Sequence, residues 1–273
     1  MGDCSLLGED VFRALGATVT PSGTAVDEDR LRDQRDDEQA SQDLTSPWVT
    51  SVDLGVGVSA ACDAVAVLNS NLDQISATVS VYRSSDGIAW TLAHSFAGSK
   101  RDHYRPFTTP GAFRYWRVTI SGTGTALVGE IMLGRRVVFP DPPRWQGLDP
   151  YSERPVAYSK VTVLPLTQHT VAYVEREISV AWTLLHESFL EAVGTPADFR
   201  TWWEAYGSMG EPLVFAIDEA TTYEDVLFYG RLAKEISRPF VTPPDSHYTM
   251  WPPDDEPNAY RGLVMTIASR RRG

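Results

Sequence analysis

Lysine is nearly absent. The 273-residue chain has only Lys100, Lys160 and Lys234, and arginine supplies the rest of its basic side chains. That bias fits either a GC-rich coding genome or the use of arginine in paired interfaces. With 24 basic against 36 acidic residues, the net charge is −12. This argues against general nucleic-acid binding, which needs a cationic face to displace counterions from phosphates. Two cysteines, Cys4 and Cys62, form neither a disulfide framework nor a zinc set. One bridge between them and a reduced pair both stand, and synthesis in a cytoplasm favours the reduced pair. No apolar run reaches the roughly 18 residues of a membrane-spanning helix. The N-terminus, Met1-Gly-Asp-Cys-Ser-Leu-Leu-Gly-Glu-Asp10, has no basic region followed by an apolar one, so no secretory signal is expected. Leu6 stands where a myristoylation motif wants Ser or Thr.

Catalytic signatures are equally scarce. Around Ser208 the chain reads Tyr206-Gly-Ser-Met-Gly210, with Tyr where a nucleophile elbow needs glycine. His186-Glu187 opens a zinc-type H-E-x-x-H, but Leu190 replaces the second histidine. Gly122-Thr-Gly124 lacks the third glycine of a dinucleotide fingerprint. His94, His103, His169 and His247 are isolated in sequence. Carboxylates such as Asp141, Glu153, Asp218 and Glu219 are plentiful, yet no pattern sets two of them at a glycosidase separation. The expectation is a protein that is not an enzyme and holds no metal or cofactor.

What the chain does have is strand patterning. Asp27–Asp43 is a charged run, read as a solvated loop or frayed helix. From Trp48 to Gly55 residues alternate, Ala64–Leu68 is a short apolar run suited to a strand buried on both faces, and Thr78–Arg83 alternates again. Ser84-Ser-Asp-Gly87 is turn chemistry. Trp90–Leu92, Tyr115–Ile120 and Val128–Leu133 complete the set. Pro140-Asp-Pro-Pro-Arg-Trp145 and Asp149-Pro150 mark a linker. Beyond it, Val156–Leu166 and Val171–Leu184 read as strands joined at Thr167-Gln-His169. Residues 186–207 change to helical spacing, with Thr195-Pro196 as N-cap and first turn. Phe199, Trp202, Trp203 and Tyr206 fall on one face of that helix, and Gly207 stops it. Strands return at Leu213–Ile217, Val226–Leu232 and Tyr260–Ala268, with a proline-rich excursion over 239–257.

Four stretches, in order, resemble the discoidin (coagulation factor 5/8 type C) family. They are Trp48-Val-Thr-Ser-Val-Asp-Leu-Gly55, Ser84-Ser-Asp-Gly-Ile-Ala-Trp90, Arg114-Tyr-Trp-Arg-Val-Thr-Ile-Ser121 and Val128-Gly-Glu-Ile-Met-Leu-Gly134. The resemblance implies a galactose-binding-like jelly-roll sandwich that contacts glycans or lipids through loops at one end. It also implies a structural calcium near the first loop, on carbonyls that a sequence does not display. Trp48, Arg101, His103 and Tyr104 are the implied carbohydrate contacts. Core packing for Trp48 and an ordinary solvated loop over 101–105 are the structural alternatives.

The second half resembles the barrel domain of siphophage distal-tail and tail-tip proteins. The resemblance rests on Glu175-Arg-Glu-Ile-Ser-Val-Ala-Trp182, the following helix and Gly210-Glu-Pro-Leu-Val-Phe-Ala-Ile-Asp218. It implies a mainly β chain: a sandwich over 1–136, a proline-rich linker over 137–153, and a β-barrel with one aromatic-faced helix over 154–273. The functional expectation is a structural component of a bacteriophage tail tip or baseplate. It would form a homo-oligomeric ring with tube, hub and tape-measure partners, made in the host cytoplasm and carried on the virion. Its sandwich would face host-surface glycans, without nucleic-acid or membrane partners. The competing readings are a carbohydrate-binding module outside any virion and a polysaccharide depolymerase.

Overall fold

The computed structural model describes residues 4–21, 25–32, 38–99, 101–141, 143, 153–161, 167–216, 227–232 and 260–272. The chain divides into two units. One is built on Leu7–Arg136; the other is built on Val137–Ala220 and Phe228–Gly273 together with the residues up to Leu6. No helix among the described residues is long and apolar enough to cross a membrane.

The Leu7–Arg136 unit is a sandwich of two antiparallel sheets. The larger contains β2 (Thr18–Pro21), β4 (Trp48–Asp53), β7 (Thr78–Ser84), β8 (Thr91–Ala97) and β11 (Tyr115–Ser121), ordered β2-β4-β11-β7-β8. The smaller, β13-β6-β9, is made of β6 (Ala64–Leu68), β9 (His103–Pro106) and β13 (Glu130–Gly134). Alternation decides which side chains go inward. Trp48, Thr50 and Val52 on β4, and Trp116, Val118 and Ile120 on β11, are buried while their neighbours are not. These residues share one core with Val65 and Val67 of β6 and Ile131 and Leu133 of β13. Every residue of β6 is buried, as its continuous apolar run requires. Two short pairs complete the unit: β3 (Ala40–Asp43) with β12 (Thr125–Val128), and β5 (Ala60–Ala61) with β10 (Ala112–Phe113).

The Ser84–Gly87 turn forms as its chemistry suggests. Asp86 Oδ1 accepts the backbone N–H groups of Ile88 and Ala89, both at 2.9 Å, and Gly87 takes φ 74°. Two readings change. The final strand, expected over 128–133, is two strands divided at Gly129. The Asp27–Asp43 run is structured over much of its length: a 3-10 turn covers Glu28–Arg32 and β3 begins at Ala40. Leu31 and Ala40, its only apolar residues, are buried and pin it to the core.

The second unit holds a seven-stranded sheet in the order β14-β1-β17-β18-β19-β16-β15. Its strands are β1 (Cys4–Leu7), β14 (Arg136–Phe139), β15 (Glu153–Val161), β16 (Thr167–His186), β17 (Leu213–Ala216), β18 (Leu227–Leu232) and β19 (Tyr260–Arg272). The expected β-barrel is wrong. Closure requires the first and last strands of a sheet to pair, whereas β14 and β15 stand at opposite ends of this one, and no closed barrel occurs among the described residues. Phe199 and Trp202 of α2 (Phe199–Trp202) are buried in an aromatic cluster with Phe139, Trp182 and Phe189, and Phe139 stacks on Trp182 at 4.3 Å. α1 (Glu187–Leu190) is a separate single turn, capped by His186.

Three boundaries shift. The α2 N-cap is Asp198, whose carboxylate accepts the Thr195 N–H at 2.8 Å, so Thr195-Pro196 forms the turn before the helix. Residues 203–207 continue as a π-helical turn. Thr167-Gln-His169 is not a connection: it is the start of β16, with Thr167 opposite Val161. The expected linker begins later as well, because Val137–Phe139 belong to β14. Residues 144–152 of that linker, the 239–257 excursion and Asp218 and Glu219 lie outside the described residues.

Candidate functional site

The four expected sugar contacts do not converge. Trp48 is 1% exposed on the inner side of β4, so its ring offers no face for stacking; its Nε1 donates to Glu28 Oε1 at 2.9 Å. His103 and Tyr104 are 0% and 7% exposed. The stretch Arg101–Arg105 looks like a loop because it lacks apolar alternation, yet His103 and Tyr104 pair with Val67 and Ala66 in the ladder beside β6. Only Arg101 reaches the surface, and its guanidinium donates twice to Asn69 Oδ1, from Nε at 2.8 Å and from Nη2.

Arg101 leads to a polar network that composition alone conceals. Asn69 takes a left-handed φ of 49°, and its N–H donates to Asp102 Oδ1 at 2.6 Å. Gln39 Nε2 donates to the Asn69 carbonyl at 2.7 Å, and the Gln39 carbonyl accepts from Arg30 Nη1 at 3.2 Å. Arg30 also pairs with Asp27 at 3.0 Å and Glu38 at 3.4 Å. The loop flagged by sequence is thus tied by hydrogen bonds to the 3-10 turn at 28–32.

That turn borders a small cleft. Phe12, Val19, Leu31 and Ile131 give it an apolar lining, and Glu28, Asp29, Arg32 and Thr50 supply polar groups. Partial burial raises the Glu28 pKa, while the Trp48 N–H and the Arg32 charge pull it down. Arg32 Nη2 lies 3.0 Å from Asp29 Oδ1, an exposed pair that contributes under about 1 kcal/mol to stability and leaves both groups open to exchange partners. Trp48 therefore bears on this site from behind, by holding one oxygen of Glu28. The usable signal in the sequence was Leu31: a lone large apolar residue in an acidic run needs a burial partner. No group of three or more His, Cys, Asp or Glu that could hold a metal occurs among the described residues.

No family model matches the sequence, and no curated protein matches it. Solved structures with similarity include CpGH89CBM32-6 of Clostridium perfringens, at 16% identity over 46% of this chain and 98% of that one, with a TM-score of 0.39. The carbohydrate-binding module CBM32 of AlyQ, in complex with 4,5-unsaturated mannuronic acid, is 23% identical over 42% of this chain and 92% of that one, with a TM-score of 0.34. The GH29 fucosidase E1_10125 of Ruminococcus gnavus, in complex with fucose, is 17% identical over 46% of this chain but only 26% of its own, with a TM-score of 0.39. At these scores no ligand or activity passes from those proteins to this chain.

Proposed function

We propose that the Leu7–Arg136 unit is a carbohydrate-binding sandwich and that the cleft beside residues 28–32 is its ligand site. The cleft itself carries this reading. It joins an apolar lining to a few convergent polar groups, one with a shifted pKa. Sugar hydroxyls have the matching chemistry for Glu28, Asp29 and Arg32 at the rim of the cleft. The proposed action is binding without bond cleavage. Calorimetry of the full chain against neutral oligosaccharides tests it. Glu28→Gln and Arg32→Ala should each weaken binding about tenfold, the scale of one charge-assisted hydrogen bond. Binding indifferent to both substitutions, or release of reducing sugar over time, would reject the proposal.

A second reading concerns assembly. Among the described residues the seven-stranded sheet ends in β14 and β15, two different edges, and β15 is nine residues long. Long unpaired edges template pairing with another chain. Pairing of unlike edges is head-to-tail, which makes a ring when the rotation closes. This supports a homo-oligomeric ring, the assembly that a tail-tip component would need. Mass photometry and electron microscopy should then show a discrete ring. A monomer that persists at micromolar concentration and never joins tails would end this reading.

A further inference from the structure

The cleft wall is fastened by a second polar cluster, formed by buried carboxylates on the segment before the 3-10 turn at 11–13. Asp10 Oδ1 accepts the N–H groups of Phe12 at 3.1 Å and Leu133 at 3.3 Å. Glu9 Oε2 accepts the Arg135 N–H at 2.8 Å. Gly134 permits this approach, because a Cβ there would run into the Glu9 carbonyl. Asp63 completes the fastening: its Oδ1 accepts the Arg136 N–H at 2.9 Å, and its N–H donates to the Gly134 carbonyl at 3.0 Å. Residues 9–13 are thereby clasped to residues 133–136. Phe12 stands on one side of the clasp and Ile131 on the strand that runs into the other, and both line the cleft.

We propose that this clasp is a pH-operated latch on the cleft wall, closed in mildly acidic solution and loosened in mildly alkaline solution, so that ligand affinity falls as pH rises. The proposal rests on the reading of the cleft as the ligand site. The groups facing Glu9 are Arg135, Asp63 and Asp10, with Cys62 alongside; those facing Asp10 are Arg13 and Arg32. Arg13 also pairs with Glu130 of β13, and Asp63 with Arg135 at 3.1 Å and Arg136 at 3.9 Å. Burial dominates over these charges and pushes Glu9 up to about 7 and Asp10 up to about 6. The closed clasp therefore binds protons more tightly than an open one. Its extra stability is complete below the ordinary carboxylate range and is lost as pH passes 6 and then 7.

The test uses the full chain, its Glu9→Gln variant, and lactose and chitotriose as probes. Hydrogen exchange at the amides of Phe12, Leu133 and Arg135, corrected for the intrinsic rate, is measured at pH 5.5 and pH 8. Protection should drop at least about tenfold in the parent chain and change far less in Glu9→Gln. Affinity for whichever sugar binds should fall in parallel, and only in the parent. Protection that is equal at both pH values overturns the latch. Protection that falls while sugar affinity stays constant overturns its coupling to the cleft. If neither sugar binds at either pH, the affinity claim falls with the ligand-site reading, while protection alone still decides whether the latch exists.

Discussion

Raising the pH from 5 to 8 is expected to destabilise the sandwich. The largest contributions come from Glu9, moved from 4.5 to about 7, and Asp10, moved from 3.8 to about 6, both mainly by burial, and burial raises Asp63 and Glu28 in the same sense. Each shift is a little over two units, and at 1.36 kcal/mol per unit each group supplies about 3 kcal/mol at low pH. The sign follows from proton uptake. Between the unfolded and folded pKa values the folded state holds the extra proton, so stability declines as pH rises through 6 and 7. His94 acts in the opposite sense. Burial lowers its pKa from 6.5, so its contribution declines as pH falls through 6.5. Asp53 and Asp86 have lowered pKa values, and what they contribute is lost only near pH 4 and below. The difference between the parent and Glu9→Gln isolates the Glu9 share. Urea unfolding at unit steps from pH 5 to 8 should show the parent losing about 2.5 kcal/mol more than the variant, roughly 8 °C in melting temperature for a unit of this size. Parent stability that climbs from pH 5 to 8, or an equal slope in Glu9→Gln, would refute the reasoning.

Other substitutions probe separate links. Trp48→Phe keeps an aromatic ring in the core but removes the N–H that Glu28 accepts, and should cost about 1–3 kcal/mol in urea unfolding while weakening sugar binding. A loss below about 0.5 kcal/mol would show that the bond contributes little. Gly134→Ala forces a Cβ against the Glu9 backbone and should destabilise the sandwich by about 2 kcal/mol or more, read from urea unfolding. Gly207→Ala places a methyl 2.6 Å from a Trp203 ring carbon and should destabilise the second unit by about 1–3 kcal/mol, read from its own unfolding transition. Because Glu28 and Asp29 outnumber Arg32 at the cleft, uronate oligosaccharides should bind at least about tenfold more weakly than neutral ones at low salt, and 0.5 M NaCl should narrow the gap. A tighter uronate complex would contradict that charge assignment.

How much of this was legible depends on which interactions are local. The strands β4, β7 and β11 could be read because alternation along one strand decides which side chains go inward. β6 could be read because a strand covered on both faces must be apolar throughout. The open sheet could not. Closure depends on whether β14 and β15 meet, and alternation within each strand is the same in an open sheet as in a barrel. The cleft was hidden for another reason. Glu28, Asp29 and Arg32 look like surface charge in one dimension, and only the burial of Leu31 and the Trp48 bond turn them toward a shared space. Glu9 and Asp10 mislead further, since polarity suggests solvent while backbone N–H groups more than 120 residues away hold them inside. Trp48, Arg101, His103 and Tyr104 were chosen by residue type. Of these, Arg101 is the one at the surface and Trp48 bears on the cleft indirectly.

The place of β1 has a consequence for how this chain is made and how it can be altered. β1 lies next to β14 in the seven-stranded sheet, and the Leu7–Arg136 unit is what the chain spells out between them. In genetic terms the sandwich is a cassette held at both ends by neighbouring strands of a host sheet. During synthesis, the first strand must wait for β17, some 200 residues later, before both its neighbours exist, while the cassette can fold as soon as its own last strand emerges. Replacing the cassette with a short connection should leave the host sheet able to form, and exchanging it for another sandwich would change the inserted unit without rewriting the sheet that carries it.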